Sequence, residues 1–162
     1  MERFGDTARD PVQVLLTGGA SAVLRGMRES TLDIDLVFVP DTGDCYRALV
    51  IVRDALGLNV ELASADHFVP RLPGADDRCE FIATVGATTF RHADPYGLAL
   101  AKLERGHAQD AVDVNGLVSG GLVDPVRLSA LLSSVESEFM RYPTVDVVAL
   151  RQRVEELASR ES

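Results

Sequence analysis

The chain has 162 residues and a formal net charge of −9, with a pI of about 4.7 and a mean hydropathy of +0.08. Hydrophobic residues make up 46% of it, so a sizeable core is available and global disorder is excluded; the length suits one compact domain, or a core with a small appended lobe. The acidity excludes a broad nucleic-acid-binding surface, because no basic stripe is present, and favours a small anionic ligand held through a metal ion, or a protein substrate. Nucleic acid would have to be held locally, at its end or through a partner. No apolar run approaches the roughly 20 residues that span a bilayer. The opening M-E-R-F-G-D-T-A-R-D lacks the apolar segment of a secretion signal. A cytoplasmic protein with no membrane partner is therefore expected. Cys45 and Cys79 are isolated and match no metal spacing, as reduced thiols would.

In chain order, Gln13–Leu16 reads as a short buried strand and Gly18-Gly19 as its exit turn. Ala20–Met27 suits a helix close-packed against that turn. Leu32–Pro40 is a strand ended by Pro40, which cannot continue a ladder. Asp41, Thr42 and Asp44 offer caps for a helix from about Cys45 to Leu56, closed by Gly57. Asn59–Ala63 is a further strand, with Val60 and Leu62 on one face and Glu61 on the other. Asp66 to Arg78 is loop-like, and Glu80–Val85 with Thr88–His92 forms a hairpin around Gly86. The period then changes to helical. Asp94-Pro95 is a cap and first-turn proline for a helix to about Arg105. Ala108–Ser119 is a second helix, stopped at Gly120-Gly121; Asp124-Pro125 opens a third to about Met140; Thr144–Arg160 is a fourth. This predicts an α/β (α+β) protein: a small mixed sheet flanked by helices over residues 1–93, with a C-terminal helical region, 94–162, packed on it.

The stretch from Leu15 to Phe38 carries most of the chemical information. A glycine pair follows the first strand, and after 13 intervening residues Asp33-Ile34-Asp35 stands inside the second. Residues i and i+2 of a strand share a face, so Asp33 and Asp35 project side by side. Two neighbouring carboxylates repel and are costly to bury without a cation. Hard Mg²⁺ is the simplest partner, since it takes one or two carboxylates and completes its shell with phosphate oxygens and water. Glycines let the backbone approach a phosphate chain closely. Glu61, on the next strand, is the candidate third carboxylate, with Asp66 in reserve.

This pattern, T-G-G, 13 residues, then D-I-D-L, resembles the polymerase-beta-like nucleotidyltransferase superfamily, whose signature is h-G-[G/S] followed by D-h-[D/E]-h. Thr17 stands where a more apolar residue is common. Further on, D-P-Y-G-L-A-L-A-K places Lys102 after Asp94 with seven residues between them, and Asp110 and Asp113 follow. These resemble the later motifs of AbiEii-type toxin nucleotidyltransferases. The nearest likeness is to a compact, poorly characterised prokaryotic branch related to them, and it covers most of residues 12 to 143. The resemblance implies an Mg²⁺- or Mn²⁺-dependent enzyme that moves an NMP from an NTP to a hydroxyl of RNA or protein, in a toxin–antitoxin or defence setting with a cognate partner. It implies that Gly18, Gly19 and Ser21 touch the triphosphate. Asp33 and Asp35 would hold metal, with Glu61 as third ligand and base. Lys102 would reach phosphate or acceptor, and Asp94 and Asp110 match later motif positions. The chain lacks the Arg-rich segment of minimal nucleotidyltransferase antitoxins and the Val-Arg-Asp of the tRNA CCA-adding branch, so the acceptor stays open.

Each signal also has an ordinary structural explanation. Gly-Gly pairs are commonly turns, and Asp94 is accounted for as a helix cap by Pro95. Lys102 reads equally as a solvent-facing helix lysine, and Asp110 with Asp113 as a solvated i, i+3 face. Arg25 and Arg28 are candidates to meet phosphate, with a polar loop as the default reading. The three histidines show neither metal spacing nor pairing with a nucleophile. A catalytically silent nucleotide- or partner-binding module is the alternative function. A purely structural oligomerising domain is a third.

Overall fold

The computed structural model describes residues 1–160. Its elements, in chain order, are α1 (Glu2–Thr7), β1 (Val12–Leu16), α2 (Gly18–Leu24), β2 (Asp33–Val39), α3 (Gly43–Leu56), β3 (Asn59–Leu62), β4 (Phe81–Val85), β5 (Thr88–His92), α4 (Pro95–Arg105), α5 (Ala108–Ser119), α6 (Pro125–Ser134) and α7 (Val147–Arg160). Short 3₁₀ segments lie at Ala65–His67, Asp76–Arg78 and Glu136–Arg141. By contacts the chain forms two compact units. One comprises Met1–Ser64 with Cys79–Ala93; the other comprises Ala65–Arg78 with the chain from Asp94 onward.

The first unit is built on a five-stranded mixed sheet in the order β3-β2-β1-β5-β4. β1 runs antiparallel to β2 and parallel to β5, and β2 runs parallel to β3. Alternation then sorts the side chains. The pairs Val14 with Phe38, Leu16 with Leu36, Val14 with Phe90 and Ile34 with Val60 place apolar residues on one face. Phe4 and Ala8 from the α1 segment and Cys45 and Ala48 from α3 complete that core. Phe4 stacks on Phe38 at 5.6 Å and meets Phe90 edge-on at 6.2 Å. The other face receives Asp33, Asp35, Asn59 and Glu61.

The second unit is helical. Asp94 accepts hydrogen bonds from the backbone N–H groups of Tyr96 and Gly97 and caps α4; Asp124 does the same for Val126 and Arg127 at α6. These are the two Asp-Pro starts expected from sequence. Leu100, Leu128, Leu150 and Val154 are fully buried and form the centre of this unit.

Several boundaries differ from expectation, each for a local reason. Gly18 and Gly19 are the first turn of α2 rather than a turn preceding it. The third C-terminal helix stops at Ser134, and Val135 leads into 3₁₀ turns up to Arg141 instead of a continuous helix to Met140. Val135 is itself buried, with φ −111° and ψ 8°, outside helical geometry, so anchoring its side chain breaks the period. The last helix begins at Val147, and Asp146 accepts from the Ala149 N–H at its start. α1 is an element the pattern did not announce: six residues are too few to display a helical period. Both cysteines are free and buried.

Candidate functional site

The site-bearing segment of the first unit follows directly from the strand–glycine–helix order. Thr17 continues the β1–β2 ladder by donating its N–H to the Asp35 carbonyl at 2.9 Å. The chain must then turn sharply across the acidic strand. Gly18 does so with φ +51°, and a Cβ built on it would lie 1.9 Å from Asp35 Oδ2. A Cβ on Gly19 would lie 2.2 Å from Thr31 Oγ1, and Thr31 in turn donates to the Asp33 carbonyl at 3.0 Å. The glycine pair is therefore the surface against which the acidic strand and its lead-in loop rest. The Arg28 guanidinium lies 3.7 Å from the same Cβ position on Gly19.

On the sheet, Asp35 pairs in register with Glu61, and Asp33 pairs with Asn59. Neighbouring strands are about 4.8 Å apart, and paired residues point to the same side. Three carboxylates thus share one face, two of them directly opposite each other. Asp33 and Asp35 are half-buried, and Glu61 is exposed. The Asn59 amide donates to Asp33 Oδ1 at 2.5 Å. Among the described residues, no group of three His, Cys, Asp or Glu side chains is gathered closely enough to hold a metal ion as it stands. The donor set is nonetheless of the right kind for Mg²⁺ or Mn²⁺: hard carboxylate oxygens, two on adjacent rows of one strand and a third across from them, beside the Gly18–Gly19 backbone.

Behind the turn, α2 is fastened to the hairpin strands. Ser21 Oγ and His92 Nδ1 are 2.8 Å apart and both residues are buried. One turn later Arg25 pairs with Glu80 at 2.7 Å. Burial and then the Arg25 guanidinium push the His92 imidazole below its ordinary value, against an opposing pull from Glu80. The expectation that no histidine pairs with a nucleophilic side chain is corrected by this contact: Ser21 and His92 are 71 positions apart, a separation only the β1–β5 pairing closes. Arg25 is likewise an ion-pair partner rather than part of a free polar loop.

The remaining sequence candidates lie in the second unit. Asp94, besides capping α4, receives a two-pronged ion pair from Arg78, with contacts of 2.8 and 2.7 Å. Lys102 is 8% exposed, so it is not a solvent-facing lysine; its Nζ donates to Asp113 at 2.6 Å and to Asp110 at 3.3 Å. Asp110 is 2% exposed, so it does not sit on a solvated face. The Arg105 guanidinium holds its carboxyl down at about 2, with Lys102 contributing. Asp110 also accepts from the His107 N–H at the start of α5. Asp66 sits in the first 3₁₀ segment, where its carbonyl accepts from the Tyr142 hydroxyl at 3.0 Å. Desolvation pushes its carboxyl above the ordinary value. Within this unit Lys102 and Asp110 meet each other, whereas Asp94 and Asp66 have separate partners.

A mixed sheet with paired acids on its second strand, following a strand–Gly-Gly–helix unit, defines a nucleotidyltransferase-like α+β fold. The chain belongs to the family described as a nucleotidyltransferase of unknown function (DUF6036), whose model matches residues 3–157. No curated protein and no solved structure matches it.

Proposed function

We propose that this protein is a divalent-metal-dependent nucleotidyltransferase that moves an NMP from an NTP to a hydroxyl group of RNA or of a protein. The observation that carries the reading is the seating of Gly18 on Asp35 in a family of nucleotidyltransferases, with Asp33 and Glu61 on the same sheet face. Asp33, Asp35 and Glu61 would hold Mg²⁺ or Mn²⁺, which when bound neutralises triphosphate charge and favours the attacking oxygen. The triphosphate would lie along the Gly18–Gly19 backbone, with Arg28 beside it; Ser21, buried against His92, holds α2 from behind. The acceptor oxygen forms a bond to the α-phosphorus, the α–β phosphoanhydride bond breaks, and pyrophosphate leaves. Glu61, exposed and across from Asp35, takes the hydroxyl proton. The acidity of the chain argues for an acceptor held at one end or through a partner rather than along a basic groove. By the resemblance to AbiEii-type toxins, the setting is toxin–antitoxin or defence, in the cytoplasm.

The test is incubation with each α-labelled NTP, Mg²⁺ or Mn²⁺, and total RNA or lysate. Label transfer by the wild type, lost in Asp33→Asn/Asp35→Asn, is expected.

A second reading is a nucleotide- or partner-binding module without catalysis. What favours it is the same site seen the other way: no three of the described ligand-type side chains are gathered around a metal position, and Lys102 is committed to Asp110 and Asp113. Metal-dependent NTP binding with no transfer to a broad acceptor set would decide for it.

A further inference from the structure

We propose that Asn59 is a positioning residue of the acidic face: its amide holds one oxygen of Asp33 and leaves the other to the cation. This rests on the nucleotidyltransferase reading above. Two successive rows of β2 and β3 carry the four side chains concerned, Asp33 with Asn59 and Asp35 with Glu61. The second row sets carboxylate against carboxylate. The first sets carboxylate against a neutral amide, whose Nδ2 donates to Asp33 Oδ1 at 2.5 Å.

The chemistry of position 59 decides what Asp33 can do. A carboxylate there would complete a square of four negative charges, and each added like charge raises the free energy of the ionised set. An aliphatic side chain would leave the Asp33 carboxyl free to rotate about its last torsion, a broad and weakly restrained one. The amide adds no charge, donates one hydrogen bond, and fixes the carboxylate plane, the role that outer partners of metal ligands generally fill. Local preference does not put an asparagine here. Asn is a poor strand former, yet it opens a four-residue strand. It is exposed and lies outside the core cluster, so packing does not demand it either. Asp33 is its side-chain partner, and the effect of the bond falls on that carboxylate.

The test is Mn²⁺ titration of the full chain, followed by the electron paramagnetic resonance of the free ion, with and without ATP or another NTP. Asn59→Ala is expected to weaken Mn²⁺ binding about tenfold, at the lower end of outer-partner effects, with an unchanged thermal melt. Asn59→Ser, which keeps a short donor, is expected to recover part of the loss. Wild-type Mn²⁺ affinity in Asn59→Ala, alongside a loss in Asp33→Asn, would overturn the role of Asn59 and leave the nucleotidyltransferase reading intact. A wild-type chain that binds no Mn²⁺ even with NTP would remove both.

Discussion

At Gly18 two separate demands fall on one residue. Its φ of +51° is in the left-handed region, and its missing Cβ is the space that Asp35 Oδ2 occupies. Gly26 has φ +70° with nothing within 4 Å of a built Cβ, so it isolates the conformational part. Gly26→Ala is expected to lose roughly 1–2 kcal/mol, the usual left-handed penalty, and to leave metal binding alone. Gly18→Ala should lose clearly more in denaturant unfolding and weaken Mn²⁺ binding as well, because the carboxylate must move. Equal losses at the two positions, with metal binding intact, would show that the Asp35 contact is unimportant. The glycine–acid pairing was legible as a motif, yet its spacing was silent on the contact itself. That contact depends on the antiparallel β1–β2 register carrying Asp35 past the end of β1, where Thr17 meets its carbonyl.

At the scale of elements, α2 is seven residues long, too short to be stable alone. Its placement rests on packing and on two side-chain ties, Ser21 to His92 and Arg25 to Glu80. The first tie makes the unit acid-sensitive in a definite direction. The folded imidazole titrates below the ordinary 6.5 because burial and Arg25 disfavour its cation. The unfolded chain therefore takes up that proton first as pH falls. The stabilisation linked to neutral His92 is complete above about pH 6.5 and is lost as pH drops through the folded value. Thermal melts from pH 7.5 to 5 should show this slope in the wild type and a flatter one in His92→Phe; identical slopes would refute it. The sheet strands and the Asp-Pro helices were readable from alternation and capping. The break at Val135 was not, because a buried side chain outside the helix decided it rather than a Gly or Pro.

At the scale of the whole molecule, the two units keep their cores by different means. The first relies on an apolar sheet face under α1 and α3. The second combines an apolar centre with an ion cluster of Lys102, Arg105, Asp110 and Asp113. Lys102 and Asp110 are its buried members, and removing Asp110 strips Lys102 and Arg105 of a shared counter-charge. Asp110 has a folded value of about 2 against an ordinary 3.8, a difference equivalent to roughly 2 kcal/mol. That contribution is present above pH 3.8 and disappears as pH falls toward 2. Asp110→Asn is accordingly expected to be destabilised at neutral pH and to lose much of the wild-type acid dependence in that window, as followed by circular dichroism. The sequence alone determined the order of the strands and of the helices after α1, the acidic balance, and the membership of Asp33 and Asp35 on one strand face, because these follow from chain-local periodicity and composition. Tertiary structure decided what those residues touch. Parallel pairing of β2 with β3 set Glu61 against Asp35 and Asn59 against Asp33. Pairing of β1 with β5 put His92 within reach of Ser21. Packing of α4 with α5 turned Lys102 and Asp110 from apparent surface residues into a buried pair. Each depends on strand register or helix packing between distant segments, a property no local spacing encodes.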